Sequence, residues 1–209
     1  QNVLILAPTR ELAIQINQEL IKLASGLRIF SVCAVGGMPI FRQIKDLRFS
    51  HNFIIGTPGR IKDLIDRRCL RLDDFQTIVL DESDRMLDMG FVNDMRFLVS
   101  AMPAKHQTLF FSATVSSDIK QMIQEFLVNP VSVSVKTSDT VHSVDQDVVY
   151  VRGGQKLDVL HDLLIKPEFN KVLIFGRTKH GVERLSENLT DRGFKAESIH
   201  GNKNHGQRQ

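Results

Sequence analysis

Short apolar runs alternate along the chain with longer stretches in which apolar residues recur every three to four positions. VLILA is followed by a helical period over residues 11–25, FSVCAV by one over 39–49, and NFIIGT by one over 59–67. The alternation continues through TIVLD, TLFFSAT and VSVSV. Runs apolar on both faces and joined by helices predict a parallel sheet covered on each side, an α/β architecture. After VSVSV the stretch KTSDTVHSVDQ is polar and turn-prone and follows neither period. It predicts an interdomain linker over residues 136–145. The pattern restarts at DVVYV and runs through KVLIFGRTKHG and a helix to AESIHG. With roughly three strands, this second unit is short of a usual sheet and reads as cut short. The first unit enters a strand directly after Gln1-Asn2, with no Met, and reads as cut short too.

Composition narrows the picture modestly. The 209 residues, 42% hydrophobic and 24% charged, suit one or two soluble domains. A net charge of +3 permits a polyanionic partner without requiring one. Cys33 and Cys69 lie far apart without metal-ligand spacing and read as reduced thiols of a cytoplasmic protein. No apolar run approaches the length of a membrane span, and no signal-peptide pattern opens the chain. The seven histidines form no HExxH set, and His200 and His205 read as surface or loop residues rather than zinc ligands. With no Trp and one Tyr, the chain lacks the aromatic interleaving of stacking-based single-strand binders. Phe175 reads as core at a strand end.

The chemistry concentrates in TIVLDESDRML, residues 77–87. In open parallel sheets ligands bind beyond the carboxyl ends of the strands, where Asp81 and Glu82 fall. An Asp there is able to hold hydrated Mg²⁺ while the Glu polarises a water, as in phosphoryl-transfer sites; alternatively the carboxylates cap the helix that follows. TLFFSAT is another strand ending in hydroxyl residues, Ser112 and Thr114, suited to bond Asp84. APTREL, the pair Gly36-Gly37 and TPGR each follow a predicted strand. They bring the hydroxyls, glycines and arginines that phosphate recognition uses at helix N-termini.

The series PTREL, GG, TPGR, DESD, SAT, IFGRTK and IHGN resembles, in order and spacing, the DEAD-box RNA helicases of helicase superfamily two, over essentially the whole chain. The resemblance implies two RecA-like parallel-sheet domains that bind ATP and RNA. The first occupies residues 1–135, and 146–209 begin the second. It implies that Asp81 and Glu82 serve Mg²⁺ and the attacking water, and that Asp84 couples to Ser112 and Thr114. Thr9, Arg10, Gly37, Thr57, Gly59 and Arg60 would hold the RNA backbone on the first domain, and Thr178 and Gly201 on the second. Ser83 departs from the family's usual Ala, and His205 stands where the related pattern often carries Gln. Backbone contacts should dominate, with slight sequence preference.

No GxxxxGK[ST] phosphate loop occurs. The spacings Gly176 to Gly181 and Gly201 to Gly206 are followed by Val182 and Gln207 instead of Lys. Family loops for ATP lie outside the two ends, so the chain alone is expected to be inactive. Three readings stay open: the core of an ATP-dependent RNA helicase, a non-catalytic RNA-binding or regulatory module, and a DNA-translocating ATPase. Complete DESD and SAT sets favour the first.

Overall fold

The structure is a computed structural model that describes residues 2–135, 144–151 and 153–203. It divides into two compact units, Gln1–Ser134 and Val135–Gln209. In the first, β1 (Asn2–Leu6), β2 (Ser31–Ala34), β3 (Phe53–Gly56), β4 (Phe75–Leu80) and β5 (Gln107–Phe110) form one sheet in the order β2-β3-β1-β4-β5. All four pairings are parallel. Leu6 stands opposite both Gly56 and Leu80, Ala34 opposite Gly56, and Leu80 opposite Phe110. The five strands therefore end in line, and everything that follows a strand emerges on one rim.

Helices α1 (Arg10–Leu23), α2 (Ile40–Asp46), α3 (Pro58–Asp66), α4 (Ser83–Asp88), α5 (Val92–Ser100) and α6 (Ser117–Phe126) complete this unit. Strand alternation sorts the core. Leu4, Leu6, Ile54, Ile78 and Leu80 face one way, onto Ile61 and Leu64 of α3, Met86 of α4, Met95 and Leu98 of α5 and Ile119 of α6. Ala7, Val35 and Ile55 pack with Ala13, Leu12 and Ile16 of α1 on the other side. α1 packs against β2 and β3. Farther along, the surface carries Leu109 at 37% and Phe111 at 54% exposure. At Gly56 a Cβ would lie 2.2 Å from the Ala34 carbonyl and 2.8 Å from Ile61 Cδ1, so only glycine lets β2, β3 and α3 approach this closely.

In the second unit α7 (Lys156–Leu164) and α8 (Lys179–Asp191) form as the helical period predicts. The strands expected at VSVSV, DVVYV, VLIF and AESI do not: among the described residues of these segments no ladder is made. A strand exists only through its neighbour, and alternation alone supplies none. Val131 and Val133 are accordingly 91% and 87% exposed. Phe175, expected in the core, is 89% exposed. Most of the expected linker, and His205, lie outside the described residues. No described helix is long and apolar enough to cross a membrane.

Candidate functional site at the carboxyl rim of the sheet

Each strand of the first unit delivers one group of predicted residues to the rim. Beyond β1, Thr9 is the N-cap of α1, its hydroxyl accepting the Leu12 N–H at 3.2 Å. Arg10 follows as the first helical residue. Beyond β2, Gly37 holds φ +74°. The Arg10 guanidinium lies across it so closely that a Cβ there would sit 1.8 Å from Nη1. Both the left-handed backbone and this contact require glycine. Beyond β3, Thr57 is the N-cap of α3 and only 9% exposed, with Pro58 and Gly59 opening the first turn.

Arg60 is not the solvated cation that a phosphate ligand suggests. Its Nη1 donates to the Met38 carbonyl at 3.2 Å and to Gln43 Oε1 at 2.9 Å, and Nε lies 3.9 Å from Asp63. The side chain is 13% exposed.

Beyond β4 the backbone turns sharply. The Asp81 N–H still extends the sheet, donating to Leu6 O at 3.0 Å, and its carboxylate accepts the Glu82 N–H at 2.9 Å. Glu82 then adopts φ +46°, ψ +52°, a left-handed conformation that glutamate seldom takes. This lets α4 start at once and aims successive carboxylates over the rim. Partial burial, with the neighbouring Glu82 charge adding to it, pushes the Asp81 carboxyl above the ordinary aspartate value against the Glu82 N–H bond. The strand end thus holds negative charge that the protein does not fully compensate. That suits a divalent cation such as Mg²⁺, which takes one or two carboxylates and fills its remaining positions with water and phosphate oxygens. Among the described residues no group of three or more His, Cys, Asp or Glu forms a metal cage. Glu82 is itself held by Arg85 at 3.2 Å.

Ser83 is fully buried, its N–H donating to Phe111 O at 2.9 Å and its hydroxyl to Leu80 O at 3.1 Å. The hydroxyl in place of the usual methyl is therefore satisfied by the strand it follows and leaves Asp84 alone. Asp84 Oδ2 accepts two bonds at 2.9 Å, from the Thr114 N–H and the Thr114 hydroxyl. The Ser112 hydroxyl donates to Thr114 O at 2.7 Å. Partial burial alone would raise Asp84. The bonds from Thr114, from the Arg85 N–H and from Ser112 outweigh it and hold the carboxyl below its ordinary value.

In the second unit Thr178 caps α8, its hydroxyl accepting the Gly181 N–H at 3.0 Å. Lys179 Nζ reaches Asn202 Oδ1 at 3.2 Å, beside Gly201. Glu183 of α8 accepts from the Ser198 hydroxyl and lies 2.8 Å from His200 Nε2 and 3.5 Å from Lys203. Bonds from Ser198 and then His200 lower its carboxyl to about 2. Thr178 and Gly201, far apart in sequence, are thus held side by side, and His200 is a partner of Glu183 rather than a free loop residue.

Gln43 and Glu183 were not among the residues singled out from sequence. For Gln43 a signal exists: Ile40, Gln43, Ile44 and Leu47 form one helical stripe, and a polar residue in an apolar stripe needs partners.

Comparison with known proteins agrees with this geometry. The family model described as DEAD/DEAH box helicase matches residues 1–122. The DEAD-box ATP-dependent RNA helicase CshA of Bacillus licheniformis is 44% identical over 199 residues, 95% of this chain and 41% of that protein. CshA of Bacillus subtilis is 43% identical over the same share of this chain and 40% of its own length. This chain thus spans about two fifths of these relatives. Among solved structures, a DEAD box protein from Methanococcus jannaschii matches 99% of this chain and 56% of its own, at 35% identity and TM-score 0.63. A hypothetical ATP-dependent RNA helicase from Sulfolobus tokodaii matches 62% of this chain at 29% identity and TM-score 0.59.

Proposed function

The chain belongs to the DEAD/DEAH box helicase family, and on that premise we propose that it is the central part of an ATP-dependent RNA helicase that couples ATP binding and hydrolysis to local RNA duplex unwinding or RNP remodelling. The observation that carries the proposal is the pair of bonds from Thr114 to Asp84, made two residues from Glu82. A passive RNA clamp has no use for a strained carboxylate at a strand end, nor for a link from that strand to its neighbour.

In this reading Asp81, with Glu82, holds Mg²⁺, which neutralises phosphate charge when bound. Glu82 accepts the proton of the attacking water. Asp84, Ser112 and Thr114 transmit the state of that site to β5. Thr9, Arg10, Gly37, Thr57 and Gly59 face the RNA sugar-phosphate backbone, with Arg60 supporting them, and Thr178 and Gly201 serve the second unit. The strands' common rim supports this assignment in the first unit, and the fastening of α8 to residues 198–203 in the second. The proposal takes residues 1–135 as the first RecA-like domain, 136–145 as linker and 146–209 as the start of the second, consistent with the division into two units near Ser134. It also places the protein in the cytoplasm, where the free thiols Cys33 and Cys69 stay reduced.

The test is steady-state ATP hydrolysis, with and without RNA, by the protein expressed with the sequence that flanks this segment in its gene. RNA should stimulate turnover. Glu82→Gln should cut it steeply and spare nucleotide binding, since the amide keeps the shape and loses the base. An RNA-stimulated rate that survives Glu82→Gln would remove Glu82 from the chemistry. No hydrolysis in the flanked protein would favour the non-catalytic module.

A further inference from the structure

Three of the rim groups meet at one buried side chain that none of the family motifs names. Gln43 sits on α2 at 4% exposure. Its Nε2 donates to the Val35 carbonyl at 3.0 Å, and its Oε1 accepts Arg60 Nη1 at 2.9 Å. The same Nη1 donates to the Met38 carbonyl at 3.2 Å. The carbonyls on either side of Gly36-Gly37 are therefore held from one point: Val35 by Gln43 directly, Met38 through Arg60. The turn they bracket carries the left-handed Gly37, with Arg10 lying across it.

We propose that Gln43 is the positioning residue of the Gly36-Gly37 turn, fixing its backbone so that its free N–H groups meet an RNA phosphate, and that Arg60 acts through Gln43 and Met38 rather than on the RNA. This rests on the RNA-binding reading above and adds to it how the site is held. A primary amide suits the position because it donates to one carbonyl and accepts from one guanidinium at once. A carboxylate would face the Val35 carbonyl without a proton to give. A hydrocarbon would strand both partners in a dry pocket, where unpaired polar groups are costly.

The test uses the full chain with Gln43→Leu, similar in size, and Gln43→Glu, which keeps the acceptor for Arg60 and loses the donor to Val35. Two measurements are made: amide hydrogen exchange at residues 36–38, and affinity for single-stranded RNA across a salt series. Gln43→Leu should speed exchange at 36–38 while leaving the strand amides of β1 and β4 protected. It should weaken RNA binding about tenfold, the size of one or two missing hydrogen bonds. The salt slope should fall by roughly 0.7 for each phosphate that is no longer neutralised. Gln43→Glu should fall between wild type and Gln43→Leu in both measurements. Unchanged exchange at 36–38 in either folded variant would overturn the positioning role, as would fast exchange with wild-type RNA affinity and slope. If the wild-type chain itself shows no salt-dependent RNA binding, the RNA reading fails, and with it the proposed use of the turn, whatever the exchange result. Arg60→Lys opens the same ring from its other end and serves if Gln43→Leu does not fold; normal exchange at 36–38 in it would equally refute the proposal.

Discussion

Glu82 occupies a backbone conformation that costs an L-residue about 1–2 kcal/mol. Glycine there would relieve it, returning roughly 0.5–1 kcal/mol through the greater freedom of the unfolded chain. Glu82→Gly should therefore leave the chain as stable or stabler by up to about 1 kcal/mol, while removing the proposed base. Urea unfolding checks it, through a midpoint that holds or rises with unchanged slope. A clear loss of stability would mean that the Arg85 pair or another Glu82 contact outweighs the strain. The identities of Asp81, Glu82 and Asp84 were legible because a strand that climbs into three carboxylates is conspicuous. The handedness of Glu82 was not, since glutamate has no preference that announces it. The engagement of Arg60 was hidden for another reason: its partner Gln43 is seventeen positions away, and arginine's charge suggests solvent.

Between elements, single side chains do the fastening. Thr114→Val removes the hydroxyl bond to Asp84 and keeps the N–H bond. It should cost about 1 kcal/mol, below the usual range for a charged acceptor because the pair is open to solvent. Asp84 titrates below its ordinary value when folded, so this contribution is complete above that value and fades as pH falls through the lowered one. The gap between wild type and variant, measured by denaturation at a series of pH values, should close in acid. Glu183 obeys the same sign. With its carboxyl held at about 2 against an ordinary 4.5, the fastening of residues 198–203 to α8 should loosen as pH drops from about 4.5 toward 2, seen as faster exchange there. Glu183→Gln should remove that pH dependence. The five strands of the sheet were readable because each is an apolar run of strand length. VSVSV and VLIF carried the same signal without a pairing neighbour among the described residues, a condition that no local pattern encodes.

Across the whole molecule the covering of the sheet is uneven. Among the described residues β5 pairs only with β4, which leaves its other edge with unmet N–H and C=O groups. Leu109 and Phe111 stand exposed beside it, as does Val131 farther along the chain. For anyone handling this polypeptide, such an edge acts as an adhesive. Strands of separate molecules can add to one another there, so solution behaviour should depend on how much protein is present. Sedimentation or light scattering should show mass rising with concentration. Leu109→Lys, on the open face of β5, should suppress the rise without disturbing the Asp84–Thr114 bonds. A particle of constant mass across the range would mean that the edge is sheltered. If the mass does rise, low yield and precipitation during purification would originate at β5, and the remedy would be a charge at one position rather than a search for a better buffer.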